Sequence, residues 1–379
     1  MAYMKDVTGR RLDTFRVREH LTVMYTAALG DSIDADVAGY WPTACALTHQ
    51  RMRYGYNGGV GGNTTTQALA RIGEITTRRP TVCIIGGGVT NDIGQGISAA
   101  TTRDNIASMV TTLKAAGIIP LLRGCPPRGS GAAPYDTNSL AIAAVTAHNT
   151  WARTYAAAEG IDYFDIHTPL VDTGTGLMSS AYTDDGIHPN AAGILAAARA
   201  FRDANFPTFA NAQPFDLGVS TFEMSPNDGL FIADSNSDGL SDTWSSSSWA
   251  SADIATAAPA GKWQHLSHAS ATWGLAQKRL YLPGGTYYEI GMRLAVIDGT
   301  VWISTRHYQA DDSTVVGNWV DLPVRAQATT AEGGIWVIRG VMPPNASIIR
   351  MYVQNQASVS PAPAATDFRI AQLTLRRRA

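Results

Sequence analysis

From residue 21 to about 206, short apolar runs alternate with longer stretches whose apolar positions recur every three or four residues. The short runs predict strands over Thr22–Leu29, Arg53–Asn57, Thr81–Gly86, Ile118–Arg123 and Ile161–Asp165. The longer stretches predict helices over Ile33–His49, Thr64–Arg78, Arg103–Ala116, Thr137–Glu159 and Ala191–Ala204. Strands separated by helices imply a parallel sheet with helices on both faces. Thr81-Val82-Cys83-Ile84-Ile85 is apolar without alternation, as a central parallel strand buried on both faces must be.

After Phe206 the period changes. Residues 207–226 read as a linker, and from 227 to 379 helix signals vanish. Runs rich in Tyr, Trp, Val and Ile, such as Tyr287–Val296, Val301–Tyr308, Ile335–Val341, Ile348–Val353 and Phe368–Leu375, are separated by Gly, Pro, Asn and Asp. That spacing predicts an antiparallel β-sandwich. Residues 1–20 are polar and charged without a period and read as an N-terminal arm.

At 379 residues the chain fits two domains better than one. Charged residues make up 16 % and the net charge is −2, so no basic field draws the chain to nucleic acid or an anionic membrane. No apolar run is long enough to insert into a membrane, and the first residues lack the apolar core of a secretory signal. Cys45, Cys83 and Cys125 show no metal spacing and cannot all pair, which argues against a disulfide framework.

The first strand ends in Gly30-Asp31-Ser32, where open α/β sheets carry their chemistry. A serine hydroxyl needs a base to act as a nucleophile. Asp185-Gly186-Ile187-His188-Pro189 offers one, with a carboxylate three residues from the histidine to orient it. The residue two after Ser32 is Asp34, so the nucleophile elbow of α/β-hydrolases is absent. Oxyanion donors are the Ser32 N–H, the Gly62 N–H in Gly61-Gly62-Asn63 and the Asn91 amide in Thr90-Asn91-Asp92. Separately, each has a bland reading: Ser32 as a helix cap, Gly62 and Asn91 as turn formers, Asp185 and His188 as a surface turn. Asp31 reads as a structural loop carboxylate, and Asp34, Asp36 and Asp92 as solvated or capping groups.

These four blocks, in this order, resemble the SGNH (GDSL-like) hydrolase family over about residues 21–206. The resemblance implies a three-layer α/β/α, flavodoxin-like fold and an esterase or deacylase activity that needs no cofactor. It assigns Ser32, Asp185 and His188 to catalysis and Ser32, Gly62 and Asn91 to the oxyanion hole. One departure is that Val89 stands where the family has a glycine two residues before the asparagine.

In the second domain, Asp234, Asn236, Asp238 and Asp242 place oxygens at alternate positions around Gly239, which suits structural Ca²⁺. The twelfth position of that loop is Ser245 rather than Glu, and an Asx-rich turn without metal is the alternative. The strand pattern resembles a jelly roll of carbohydrate-binding-module type, with Trp244, Trp249, Trp263, Trp273, Trp302, Trp319 and Trp336 as the pool for core packing or sugar stacking. Asp6-Val-Thr-Gly-Arg-Arg-Leu-Asp resembles the start of actinobacteriophage minor tail proteins. That resemblance implies virion or tail association, which reaches a cell surface without a signal peptide.

Together these observations predict a serine esterase or deacylase removing O-acetyl groups from a cell-surface glycan, with a sandwich that binds the glycan or holds a homo-oligomer or tail assembly together. Two alternatives stand beside it: a lipid or thioester acyl hydrolase, and a non-catalytic receptor-binding or structural tail protein.

Overall fold

The structure, a computed structural model, describes residues 24–129, 139–215, 217, 235, 237, 242, 244–247, 251–253, 258, 263–268, 274–317, 320–325, 333–355 and 366–378. The arm predicted over 1–20 lies outside them. The chain divides into two compact units between Pro214 and Phe215.

In the first unit, β1 (Met24–Gly30), β2 (Met52–Gly59), β3 (Val82–Ile85), β4 (Ile119–Arg123) and β5 (Asp162–Phe164) form one sheet in the order β2-β1-β3-β4-β5. All four pairings are parallel. Alternate side chains of β1 and β3 face opposite sides of the sheet. Ala28, Val82 and Ile84 enter a core with Trp41, Leu195 and Phe201. Ala27, Leu29, Cys83 and Ile85 enter another with Met109, Val110 and Val145. Both faces are therefore covered, and β1 has a strand on each side.

Eight helices are described: α1 (Ser32–Ala35), α2 (Tyr40–Leu47), α3 (Thr65–Ala70), α4 (Ile72–Arg78), α5 (Val89–Gln95), α6 (Ala99–Ala115), α7 (Ser139–Glu159) and α8 (Ala191–Asp203). Two differences from the sequence reading arise from polar side chains. The helix expected over Ile33–His49 is interrupted because Asp36 Oδ1 accepts the Ala38 N–H and Asp36 O accepts the Gly39 N–H, a local turn that competes with the helix. The helix expected over Thr64–Arg78 breaks at Arg71, whose guanidinium reaches Asn63 Oδ1, Gly58 O and Gly30 O. A third difference is α5, where the sequence reading expected no helix; left-handed Gly88 precedes it and left-handed Gly96 ends it.

The first unit also extends beyond the expected boundary. Pro207–Phe209 is a 3₁₀ turn, and Phe209 and Ala212 pack in the core with Phe201 and Phe206. Residues 207–212, expected within the linker over 207–226, thus lie in the first unit, where Phe209 and Ala212 complete its core. Phe215 and Leu217 are buried with Ile335 in the second unit.

The second unit contains two five-stranded sheets. One has the order β13 (Gly334–Val341), β10 (Tyr287–Asp298), β15 (Thr366–Arg378), β8 (Gln264–His268), β7 (Ser251–Asp253). The other has the order β12 (Val320–Arg325), β11 (Thr300–Tyr308), β14 (Ile348–Asn355), β9 (Gly274–Tyr281), β6 (Ser245–Ser247). Every pairing is antiparallel. Trp244, Trp263 and Trp336 are buried, which assigns them to packing; Trp249, Trp273 and Trp319 lie outside the described residues.

Candidate active site

Ser32 is the first residue of α1, directly past the C-terminal end of β1. Asp31 is its N-cap, with extended backbone and Oδ1 accepting the Ile33 N–H at 3.0 Å. This sharp strand-to-helix passage puts the Ser32 side chain at the sheet's edge. Gly59 makes room for it: a side chain there would overlap the backbone of Asp34 and Ala35.

His188 Nε2 lies 2.8 Å from Ser32 Oγ, and His188 Nδ1 lies 2.6 Å from Asp185 Oδ2. The second carboxylate oxygen, Asp185 Oδ1, accepts the backbone N–H groups of Ile187 and His188 at 2.8 and 2.7 Å. Burial pushes the Asp185 carboxyl up, but the His188 ring and those amides outweigh it and hold the pKa at about 2. Asn190 caps α8 by accepting from Ala192 and Gly193, and its amide ties back to Ala181 O and Asp184 Oδ1. The Gly129 N–H donates to Gly186 O, fastening the loop to the irregular segment that follows β4. The hydrogen-bonded chain from carboxylate through imidazole to hydroxyl has the geometry of a serine–histidine–aspartate triad.

The glycine block forms a tight turn in which the Asn63 N–H donates to Val60 O at 3.1 Å. Gly62 is its third residue, with φ +77°, the conformation glycine supplies in a type II turn. The turn's own hydrogen bond leaves the Gly62 N–H unused. Gly61 sits beside Ser32, since a Cβ on it would lie 3.9 Å from Ser32 Cβ. Asn91, in the first turn of α5, donates through Nδ2 to Asn63 O at 2.9 Å. Left-handed Gly88 permits that approach, because a side chain there would overlap the backbone of Asn63 and Thr64. Ser32 N–H is at the first helical position and has no acceptor within the helix. Asp92 is buried; its carboxylate accepts the N–H and hydroxyl of Thr65 and the hydroxyl of Thr102, which locks α5 to α3 and α6.

Sequence reasoning missed the group beneath Ser32. Asp34, expected to be solvated or capping, is fully buried in a two-point ion pair, with Arg123 Nε 3.1 Å from Oδ1 and Arg123 Nη2 2.8 Å from Oδ2. Tyr40 donates its hydroxyl to Asp34 Oδ1 at 3.0 Å, and Arg123 Nη1 donates to Gly124 O. Gly30 and Gly86 leave space for this cluster, since a methyl on either would overlap Asp34 Oδ2. Asp31 is also fully buried, 3.8 Å from Arg123 Nη2, and its Oδ2 has no hydrogen-bond partner.

Burial is the largest influence on Asp31, and together with Asp34 it outweighs the Arg123 guanidinium, raising the pKa to about 6. A carboxyl that binds its proton more tightly when folded contributes stability fully below its unfolded pKa of 3.8 and loses it as pH rises through about 6. Asp31→Asn should therefore be more stable than the wild type at pH 8 by about 1–3 kcal/mol, with the advantage fading toward pH 4. Urea unfolding at both pH values reads this; a less stable variant at pH 8 would reverse the assignment of Asp31 as a strained charge.

Of the oxygen ligands proposed for Ca²⁺, Asp234, Asn236 and Asp238 lie outside the described residues. Asp242 Oδ1 accepts from the Ser235 N–H and hydroxyl. Among the described residues, no three His, Cys, Asp or Glu side chains are grouped to hold a metal ion. No described helix is long and apolar enough to cross a membrane. Cys45, Cys83 and Cys125 are buried thiols.

A doubly covered parallel sheet with such a hydrogen-bonded chain at its edge defines a class of α/β protein. Comparison narrows the class: residues 28–194 match the model of the GDSL-like lipase/acylhydrolase family. Solved structures similar to this chain include a GDSL-like lipase from Bacteroides thetaiotaomicron, 25 % identical over 48 % of this chain and 87 % of that one, TM-score 0.41. Another is a putative acylhydrolase from Bacteroides fragilis, 24 % identical over 54 % of this chain and 100 % of that one, TM-score 0.42. A third is a catalytic mutant of an acetylxylan esterase from Geobacillus stearothermophilus, 19 % identical over 49 % and 96 %, TM-score 0.41. No curated protein matches the chain.

Proposed function

We propose that the first unit is a serine esterase that removes short acyl groups, with O-acetyl groups of a glycan as its substrate. The observation that carries the reading is the unbroken chain Ser32–His188–Asp185. In the proposed reaction, Ser32 Oγ attacks the ester carbonyl while His188 Nε2 takes its proton. Asp185 fixes the ring so that Nε2 faces the serine and stabilises the imidazolium. The tetrahedral oxyanion is stabilised by the N–H groups of Ser32 and Gly62 and by the second amide hydrogen of Asn91, the first being given to Asn63 O. Collapse expels the alcohol, protonated by His188. Water, deprotonated by the same base, then releases the carboxylic acid.

The substrate class rests on exposure. The His188 and Asp185 side chains are 46 % and 54 % exposed, so the reacting groups meet solvent instead of lying in a deep apolar tunnel. That favours a small acyl group carried on a large hydrophilic body over a long-chain lipid or thioester.

For the second unit we propose a jelly roll that binds the glycan or joins copies of the chain. The strand order β8-β15-β10-β13 opposite β9-β14-β11-β12, in which first pairs with last, supports the jelly roll. A setting on a virion tail rests on the resemblance of residues 6–13, which lie outside the described residues.

The test compares the whole chain with one ending at Pro214, before Phe215 enters the second core. The shortened chain should hydrolyse 4-nitrophenyl acetate at an undiminished rate but an acetylated polysaccharide more weakly, because a linked binding unit raises local substrate concentration. Equal loss on both substrates by a folded short chain would show that the second unit shapes the active site.

A further inference from the structure

The turn that carries Gly62 is held by a side chain from outside it. Arg71 stands between α3 and α4, and its backbone is fixed on both sides. Its N–H donates to Ala68 O at 3.0 Å, and its carbonyl accepts the Glu74 N–H at 2.9 Å. From that base the guanidinium reaches three separate pieces of chain. Nε donates to Asn63 Oδ1 at 3.0 Å, Nη1 to Gly58 O at 2.9 Å and Nη2, the longest contact, to Gly30 O at 3.4 Å. Gly58 lies in β2, and Gly30 is the last residue of β1, two before Ser32. The planar fork of an arginine suits such a divided set of acceptors. Glu74 backs it, with Oε2 3.6 Å from Nη1 while accepting the Tyr56 hydroxyl at 2.7 Å.

Asn63 is the junction of the arrangement. Its N–H closes the turn onto Val60 O, its backbone carbonyl takes Asn91 Nδ2, and its side-chain oxygen takes Arg71. The Val60 N–H, at the start of the same turn, donates to Gly30 O at 3.1 Å. Gly30 O thus receives both the turn and the guanidinium. Gly61 and Gly62 have no side chains with which to anchor themselves, and no described atom lies within 4 Å of where a Gly62 Cβ would stand. The position of the turn is therefore set by these hydrogen bonds.

We propose that Arg71 is the positioning residue of the oxyanion hole. Its guanidinium fixes the turn of Gly62 against the end of β1, and through Asn63 it fixes the amide of Asn91. The inference rests on the esterase reading above and adds to it the group that keeps donors from three segments at one spacing. Arg71 acts indirectly: it holds the donors, and the donors hold the oxygen. Its contribution should therefore appear when charge develops on the substrate and not when the substrate first binds.

Steady-state hydrolysis of 4-nitrophenyl acetate by the whole chain, together with hydrogen exchange, tests the assignment. Arg71→Met keeps an apolar stem and removes every donor. It should lower kcat roughly 100-fold, the scale of a slightly misplaced site, while KM stays within about three-fold. Asn63→Ala should lower kcat in the same direction. The double variant should lose less than the product of the two single losses, since both cut one hydrogen bond. In Arg71→Met the amides of Val60 and Asn63 should exchange roughly ten-fold faster than in the wild type, while those of β3 and β4 keep their protection. Thermal unfolding checks that the variants are folded, and Asn63→Ala decides the matter if Arg71→Met is not. The proposal is overturned by unchanged kcat in folded Arg71→Met, by a loss carried by KM, by fully multiplicative losses, or by unaltered exchange at Val60 and Asn63. If hydrolysis by the wild type does not depend on Ser32, the esterase reading fails, and the exchange measurement alone decides whether Arg71 holds the turn.

Discussion

Ser32→Ala should lower the turnover of 4-nitrophenyl acetate by roughly four to six orders of magnitude while the protein stays folded. The substitution removes the attacking oxygen, and the remaining triad members have no bond to form. His188→Ala should cost about as much, because the hydroxyl then has no base 2.8 Å away. Asp185→Asn should cost less, roughly 10²–10⁴-fold, since the imidazole remains but loses the carboxylate that fixes its tautomer and stabilises its charge. All three replace side chains at the sheet's edge, so unfolding midpoints should change little. Near wild-type turnover by Ser32→Ala would remove this serine from the reaction. A harmless Asp185→Asn would leave a serine–histidine pair oriented by other groups.

The largest expected effect on stability is at Arg123. Arg123→Met keeps most of the side-chain volume but leaves Asp34 and Asp31 buried with no counter-charge. Removing one partner of a buried ion pair typically costs about 3–5 kcal/mol. The urea midpoint of the first unit should fall accordingly, without a matching change in the second. The double substitution Asp34→Asn with Arg123→Met should be less destabilised than Arg123→Met alone, because the stranded charge is gone. A loss below about 1 kcal/mol in the single variant would mean that Asp34 is accommodated by protonation or water instead of by the guanidinium.

How far the sequence foretold these features depends on the range of the interaction. The inner strands β1, β3 and β4 were legible because burial on both faces writes apolar runs directly into the chain, whereas the edge strands β2 and β5 are only partly buried. Ser32, Asp185 and His188 were legible because each lies in a short block with a chemical signature. Helix breaks at Asp36 and Arg71 were not, since they depend on which backbone groups a polar side chain finds after folding. The short helix carrying Asn91 was hidden by the triple glycine before it, which reads as loop until Gly88 is seen in a left-handed cap. The Asp34–Arg123 pair was least legible of all: the partners are 89 residues apart, and nothing about Arg123, the last residue of an expected strand, points to Asp34. Polar residues that meet only in three dimensions leave no periodic trace.

The Ser32–His188 hydrogen bond also bears on how the protein would recover from denaturation. It joins residues 156 apart, one at the end of the first described strand and the other just before the last helix of the unit. Closing so long a loop gains nothing until the intervening strands have paired, and such non-local contacts form slowly. Regain of ester hydrolysis after dilution from urea should therefore lag behind the return of helical circular dichroism. Ser32 and His188 meet only when α8 has docked, so under the proposed function hydrolysis would report the last step of refolding.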